Sequence, residues 1–172
     1  GLYKDITVFD YRSLYPTIIA SHNICPTTLT SNPEDARKID IDGKESFYFS
    51  NKIKGFIPTL IGDIITRRTR IKEIIKEQKD EKFEFMDARQ NTLKLLANSF
   101  YGYLGFFNAR WYSIECAKSV TALGRHYIQD VISKAGQKGF LVLYSDTDSV
   151  FISVEGKSED DAKHFVESVN AE

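Results

Sequence analysis

The 172-residue sequence has only two cysteines, four prolines and one tryptophan, and it contains no long apolar run. Cys25 and Cys116 lie far apart and form no CxxC pair, which argues against a zinc site or a disulfide framework and favours a reducing compartment. No apolar stretch approaches the roughly 18 residues of a membrane span, and no signal-peptide pattern opens the chain. We therefore expect a protein of the cell interior with no membrane partner.

The sequence also lacks an excess of either charge, with 23 Lys and Arg against 24 Asp and Glu and a net charge of -1. The overall charge does not indicate a nucleic-acid binder, so any basic surface must be local. The 42% hydrophobic content is enough for a buried core in one domain or a domain with an extension. Because Gly1 is followed at once by strand-like residues, we expect the chain to be a piece of a longer protein.

The first third of the chain reads as strand, turn and helix, followed by an irregular excursion. Residues 5–11 are β-rich and end near an acid, and residues 15–23 carry a proline at a helix start with apolar residues at helical spacing. Residues 26–55 hold most of the turn formers, with a small hairpin predicted around Asp42 and Gly43. No chemistry is evident in this excursion.

A helical pattern covers residues 57–103 and has a charge-dense middle. The apolar period breaks where the charges are thickest, near residues 79–82, so we place a turn there between two long antiparallel helices. The alternative is one continuous solvated helix, because no Gly or Pro marks the turn.

The last third predicts a helix, two strands and a final helix. The helix covers residues 113–136, with its serine as N-cap and Gly136 as its stop. A strand, turn and strand follow at 140–154, and the last helix begins at Ser158. The predicted fold class is α+β, an antiparallel sheet packed with helices plus a two-helix antiparallel hairpin.

Three carboxylates stand at the ends of predicted strands. Asp10 ends the first strand, and Asp146 and Asp148 lie in the turn of the later strand pair. If these strands are neighbours in one sheet, the carboxylates converge, and such oxygen ligands favour a hard divalent cation such as Mg²⁺. The alternative is that Asp-Thr-Asp only forms a polar hairpin turn.

The helical hairpin offers a second cluster of polar residues. Arg68 and Lys72 are four residues apart, as are Lys94 and Asn98, so each pair lies on one face of its helix. If the turn falls near 80–82, the two pairs lie at about the same distance from it and are neighbours on adjacent helices. Three cations and an amide would then form one patch that suits a triphosphate. Ordinary solvated helix charges are the alternative.

Glycines and aromatic residues crowd the stretch 98–112, where a helix ends. Glycines allow another backbone to approach closely, and aromatic faces can stack on bases or line a sugar. Core packing is the alternative for most of these aromatics. Tyr101 and Gly102 are the two candidates for a site.

Three stretches resemble the polymerase motifs of family B DNA polymerases. "DYRSLYPTII" at 10–19 is similar to their first motif, "KLLANSFYG" at 94–102 to their second and "YSDTDS" at 144–149 to their third. Three motifs in the right order and spacing are far more specific than any one alone. The resemblance runs from Gly1 to about Val154, and "NARWYSIECAKSVTALGR" further resembles archaeal members.

The resemblance implies the palm and fingers of a replicative or repair polymerase. The first part of the palm would be residues 1–56, the fingers 57–103 and the second part of the palm 104–172. The exonuclease and thumb regions that flank these parts in the family would lie outside the chain. The chain alone is therefore expected to be inactive or weakly active.

The resemblance also implies the metal ligands. Asp10 and Asp148 would be the catalytic carboxylates that bind two Mg²⁺ ions, for which Mn²⁺ could substitute. The main-chain carbonyl of Tyr11 would be a further ligand, and Asp146 would be an accessory acid.

Nucleotide-binding residues are implied in the same way. Ser13 and Leu14 would present backbone and side-chain groups to the triphosphate, Tyr15 would lie under the sugar, and Asn98 would help to line the site. Phosphates would be gripped by Arg68, Lys72 and Lys94, and the nascent base pair would be faced by Tyr101 and Gly102.

The activity implied by the resemblance is DNA-templated DNA synthesis on primer-template DNA and dNTP. A sliding clamp would be reached through a region absent from this chain, and the location would be the cytoplasm of an archaeal or other prokaryotic-type cell, or a eukaryotic nucleus. Two other classes stay open: an inactivated relative used as a binding subunit, and a two-metal nuclease. The intact carboxylates argue against the first, and the phosphate-gripping pairs argue against the second.

Overall fold

A computed structural model describes residues 2–77 and 83–170, which form six strands and five helices. The predicted α+β class is confirmed. In chain order the elements are β1 (Ile6–Asp10), α1 (Leu14–Ser21), β2 (Leu29–Thr30), β3 (Ala36–Ile41), β4 (Glu45–Ser50), α2 (Phe56–Glu77), α3 (Phe83–Gly105), α4 (Ile114–Gln137), β5 (Leu141–Asp146), β6 (Ser149–Ser153) and α5 (Glu159–Asn170).

The chain divides into two compact units. The first unit combines residues 1–12 with residues 124–172, and the second contains residues 13–123. The boundary between them falls inside helix α4. In this division the helical hairpin belongs to the same unit as the segments that flank it. The division into palm and fingers stays a prediction.

The first unit is built on a three-stranded antiparallel sheet in the order β1-β6-β5. Its inner face packs on helices α4 and α5, because the alternate residues of β6, Val150 and Ile152, are apolar and buried. They meet Val131 from α4 and Phe165 from α5 in one hydrophobic core. The other face leaves the alternate residues of β1 exposed.

Strand β5 contains a register shift. Val142 pairs with Ile152, but the next pair joins Tyr144 to Phe151, which indicates a β-bulge at Leu143. The extra residue places Tyr144 on the face opposite to Val142, where its ring lies 5.5 Å from that of Phe151.

The second unit contains a separate three-stranded sheet in the order β2-β4-β3. Strands β3 and β4 form the predicted hairpin, and both Asp42 and Gly43 have positive φ in its turn, as tight hairpin turns require. Phe49 of β4 is fully buried. Strand β2 was not predicted, because its pairing of Leu29 with Phe49 joins residues far apart in sequence.

Helices α2 and α3 pack against each other in the second unit. Only residues 78–82 separate them, too few to span the roughly 33 Å length of such a helix, so the two helices run antiparallel. The predicted helix pair is confirmed, the continuous-helix alternative is wrong, and the turn predicted at 79–82 lies outside the described residues. No helix in the described part of the chain is long and apolar enough to cross a membrane.

Serine caps begin the last two helices, and the sequence predicts the first of these caps, at Ser113. The Ser113 hydroxyl accepts a hydrogen bond from the backbone N–H of Cys116 at 3.2 Å. At the start of α5, Ser158 and Asp161 cap each other: the N–H of Asp161 donates to the Ser158 hydroxyl, and the N–H of Ser158 donates to the Asp161 carboxylate. These bonds with Ser158 hold the pKa of Asp161 below its usual value.

Both cysteines are buried and free. Burial raises the pKa of the Cys116 thiol to about 12. The thiol therefore stays protonated at physiological pH and packs as a small apolar side chain.

Candidate functional site

Three carboxylate residues lie at one end of the sheet in the first unit. Asp10 of β1 pairs with Ser149 of β6, and Ser149 pairs on its other side with Asp146 of β5. Directly paired residues of antiparallel strands project to the same face, so Asp10 and Asp146 share a face and flank Ser149. Both side chains are exposed. The prediction that these strands are neighbours is confirmed.

Asp148 lies in the two-residue turn between β5 and β6, beside the same sheet end. The backbone N–H of Tyr11 donates a 2.8 Å hydrogen bond to the carbonyl of Asp148, which ties this turn to the residue after Asp10. Thr147 has φ 42°, a left-handed conformation that is costly for a β-branched residue. Such strain is often kept at functional sites, so the turn is a site candidate on backbone grounds as well.

The chemistry of these donors fits a hard divalent cation. The exposed carboxylates and the main-chain carbonyl of Tyr11, the residue after Asp10, are oxygen ligands. Mg²⁺ is commonly held by one or two carboxylates with waters and substrate phosphates. Within residues 2–77 and 83–170, however, no three acidic, histidine or cysteine side chains come close enough to hold one metal ion together. Asp10, Asp146 and Asp148 thus share a sheet end without forming a three-carboxylate cage.

The side chain of Tyr11 belongs to the core of the first unit. It packs against the hydrophobic cluster, and its ring lies 6.4 Å from that of Tyr127. Burial raises the pKa of Tyr11, and the charge of Asp130 raises it further. The phenol therefore stays neutral, and the main chain is the part of Tyr11 suited to a metal.

Helix α1 of the second unit begins in an unusual way. Ser13 is its N-cap residue with φ 54° and ψ 50°, and the serine side chain makes no capping hydrogen bond. The Ser13 hydroxyl instead accepts a 3.4 Å contact from Nη1 of Arg68 on α2. A helix N-terminus and a guanidinium together suit an anion such as a phosphate. Ser13 and the buried Leu14 stand at this helix start, and their contact with a triphosphate stays a prediction.

Two tyrosine rings meet beside this helix start. Tyr15 of α1 and Tyr101 of α3 are half-buried, with ring centroids 4.6 Å apart and planes tilted by 51°. Gly102 follows on α3, and a Cβ placed there would meet nothing within 4 Å. The structure therefore brings Tyr15 and Tyr101 together next to open space at Gly102.

The four polar residues of the helical hairpin differ in their exposure. Arg68 and Lys72 are half-buried on α2, whereas Lys94 and Asn98 are exposed on α3. Arg68 donates from Nε to Oε1 of Gln90, which lies one helical turn before Lys94. Arg68 is therefore in contact with Gln90, and the predicted common patch of the two residue pairs stays a prediction.

Gln90 is a polar residue of this site that the sequence reasoning missed. It lies on α3 four residues before Lys94 and eight before Asn98, so the helical spacing that singled out those two residues extends to it. Only 8% of its surface is exposed. The spacing was available in the sequence, but the burial depends on how α3 packs.

A model of DNA polymerase family B matches residues 1–172. The chain belongs to DNA polymerase family B. This family B chain is 44% identical to DNA polymerase 1 of Pyrococcus abyssi (strain GE5 / Orsay) and 44% identical to the DNA polymerase of Thermococcus gorgonarius, and each alignment covers 99% of the chain.

The same match holds in three dimensions. A structure of the family B DNA polymerase from the hyperthermophilic archaeon Pyrobaculum calidifontis superposes with a TM-score of 0.81 at 34% identity over 99% of the chain. The family B chain spans only 23% of the length of the two curated relatives and 22% of the solved structure. It corresponds to less than a quarter of each of these polymerases.

Proposed function

We propose that this chain is the palm and fingers segment of a DNA-directed DNA polymerase that adds nucleotides from dNTP to a primer 3′-OH on a DNA template. The observation that carries the proposal is the cluster at the start of α1. There the guanidinium of Arg68 contacts Ser13, and the ring of Tyr15 contacts that of Tyr101. A cation for phosphate and an aromatic surface for sugar and base thus flank one helix turn, which matches the two ends of a nucleotide.

In the proposed reaction the primer 3′-oxygen forms a bond to the α-phosphorus, the bond to the β-phosphate oxygen breaks, and pyrophosphate leaves while the 3′-OH proton is released. Asp10 and Asp148 would hold the two metal ions with the Tyr11 carbonyl, and Asp146 would assist. When bound, the ions would supply the positive charge that makes the 3′-OH more acidic and stabilises the leaving pyrophosphate.

The residues of the second unit would hold the nucleotide. Arg68, Lys72 and Lys94 would offset negative charge on the phosphates, the role that dominates catalysis of phosphoryl transfer. Tyr15 would limit the space at the sugar. Asn98, Tyr101 and Gly102 would line the pocket around the nascent base pair.

The first test is primer extension with dNTP and Mg²⁺ by the full-length protein, meaning the natural chain that contains residues 1–172. A polymerase extends the primer according to the template. A binding subunit would retain the DNA without extension, and a nuclease acting through these carboxylates would shorten the strand in a way that Asp148→Asn abolishes. Either of those results would refute the proposal.

Lys94→Ala should weaken use of the nucleotide without weakening DNA binding. The exposed ammonium is proposed to contact the triphosphate, so the variant should show a higher KM for dNTP and a lower kcat, with kcat/KM reduced by about tenfold or more. Lys138→Ala is the matched control, because Lys138 is also exposed but lies in the first unit after α4. Loss of DNA affinity with unchanged dNTP dependence would instead assign Lys94 to the duplex.

Gly102→Ala should lower nucleotide incorporation without lowering the stability of the protein. A Cβ at this helical position meets no atom within 4 Å, and alanine favours a helix over glycine by about 0.5–1 kcal/mol, so the melting temperature should stay or rise. Incorporation should nevertheless fall by about tenfold or more, because the methyl group would displace the nascent base pair. Gly62→Ala on α2, also in open space, is the control. Equal activity in both variants would show that Gly102 does not face the base pair.

A further inference from the structure

Gln90 is a buried amide whose hydrogen-bonding groups have partners on both sides. Its Nε2 donates to Asp87 Oδ1 and to Asn91 Oδ1, each at 2.9 Å, and its Oε1 accepts from Arg68 Nε at 3.3 Å. The Asn91 amide in turn donates to Asp87 Oδ2 at 3.0 Å. Burying an amide is costly unless it is bonded, and here the network offsets that cost.

The chemistry of the partners permits only one orientation of this amide. An ionised carboxylate only accepts hydrogen bonds, and a guanidinium only donates them. Asp87 therefore requires the Gln90 NH₂ group on its side, which turns the Gln90 oxygen toward Arg68. The two contacts support the same orientation, so Gln90 presents a fixed acceptor to the guanidinium.

Arg68 is held from two sides as a result. Nε contacts Gln90 of α3 and Nη1 contacts Ser13 of α1, so three elements of the second unit meet at one guanidinium. Both contacts, at 3.3 and 3.4 Å, are longer than a typical N–H···O hydrogen bond, so each is weak and the two together favour one direction of the guanidinium. Long arginine side chains have much rotamer freedom to lose, and a fixed direction reduces that loss on binding a phosphate.

We propose that Gln90 is a positioning residue that orients Arg68 for the triphosphate of the incoming nucleotide, a role that rests on the proposed polymerase function. An amide suits this role better than a carboxylate. It accepts the hydrogen bond while leaving the positive charge of Arg68 uncompensated, and that charge is what attracts the phosphates.

A double-mutant cycle in the full-length protein tests the proposal. Gln90→Leu removes the polar contacts at similar size and should raise KM for dNTP by about tenfold, with little change in the dissociation constant for primer-template DNA. Arg68→Ala should raise KM at least as much. In the Arg68→Ala background Gln90→Leu should add nothing, because Gln90 acts through Arg68. A further tenfold rise in that background would overturn the proposal in favour of a general packing role.

A second variant covers the case in which Gln90→Leu fails to fold. Gln90→Glu keeps the size and the acceptor but adds a negative charge beside Arg68 and Asp87, so it should also raise KM for dNTP. A wild-type KM in this variant would overturn the proposal. Gln129, an exposed glutamine on α4, provides the control, and Gln129→Leu should leave every constant unchanged.

The same assays separate this inference from the proposed function. If the unmodified protein extends no primer, the polymerase proposal itself fails. If it extends primers and Arg68→Ala raises KM while both Gln90 variants behave as wild type, only the positioning role fails.

Discussion

An Asp148→Asn variant of the full-length protein should lose nucleotide incorporation by about 10³-fold or more. The change preserves the shape of the side chain and removes one charge from the exposed turn beside the sheet end. A bound metal contributes several kcal/mol to stabilising the transition state, and each 1.36 kcal/mol corresponds to a factor of ten in rate. Single-turnover incorporation in Mg²⁺, with metal titration of the same variant, measures the effect.

Two matched variants show whether the position or the chemistry matters. Asp146→Asn should be milder, because Asp146 is proposed to be accessory. Asp42→Asn makes the same change in the hairpin turn of the other sheet and should leave incorporation unchanged. Near-normal turnover in Asp148→Asn would mean that Asp-Thr-Asp is only a polar turn.

A Tyr15→Ala variant should accept ribonucleotides far more readily. If the ring forms a wall beneath the sugar, removing it admits the 2′-OH and leaves use of deoxynucleotides largely intact. The ratio of kcat/KM for ribonucleotide to that for deoxynucleotide should rise by roughly 10²-fold, which is about 2.7 kcal/mol. Tyr15→Phe keeps the ring and should keep most of the discrimination.

The contact between the rings of Tyr15 and Tyr101 calls for a further control. Tyr101→Ala removes the neighbouring ring while Tyr15 stays, so it should impair incorporation of both sugars without changing their ratio. An unchanged ratio in Tyr15→Ala, with deoxynucleotide incorporation still measurable, would leave Tyr15 with a packing role only.

The elements that could be predicted from the sequence are those whose signals are local. The pattern rests on a few neighbouring positions in three cases: the strand pair at 140–154, the helical spacing through 57–103 and the serine cap at Ser113. The convergence of Asp10 with the later strand pair needed one long-range assumption, that the strands are neighbours. The order β1-β6-β5 confirms that assumption.

Features that depend on distant packing could not be predicted. The two-residue strand β2 exists through its pairing with β4. Ser13 stands where a capping serine is expected, yet its hydroxyl contacts Arg68, 55 residues away. The burial of Gln90 depends on how α2 and α3 lie side by side. In each case the contact is made with a residue far away in sequence, and the local sequence pattern does not predict such a contact.

The extra residue at Leu143 changes which face of the sheet the alternate side chains of strand β5 occupy. Ahead of it, Val142 must project toward the helices to fill the core. Beyond it, Asp146 must project to the opposite face, in line with Ser149 and Asp10. An uninterrupted strand would put residues 142 and 146 on the same side. The bulge therefore lets one short segment place Val142 in the core and the carboxylate of Asp146 on the opposite face, which a regular strand could not do. Loss of a single residue there would turn that carboxylate inward.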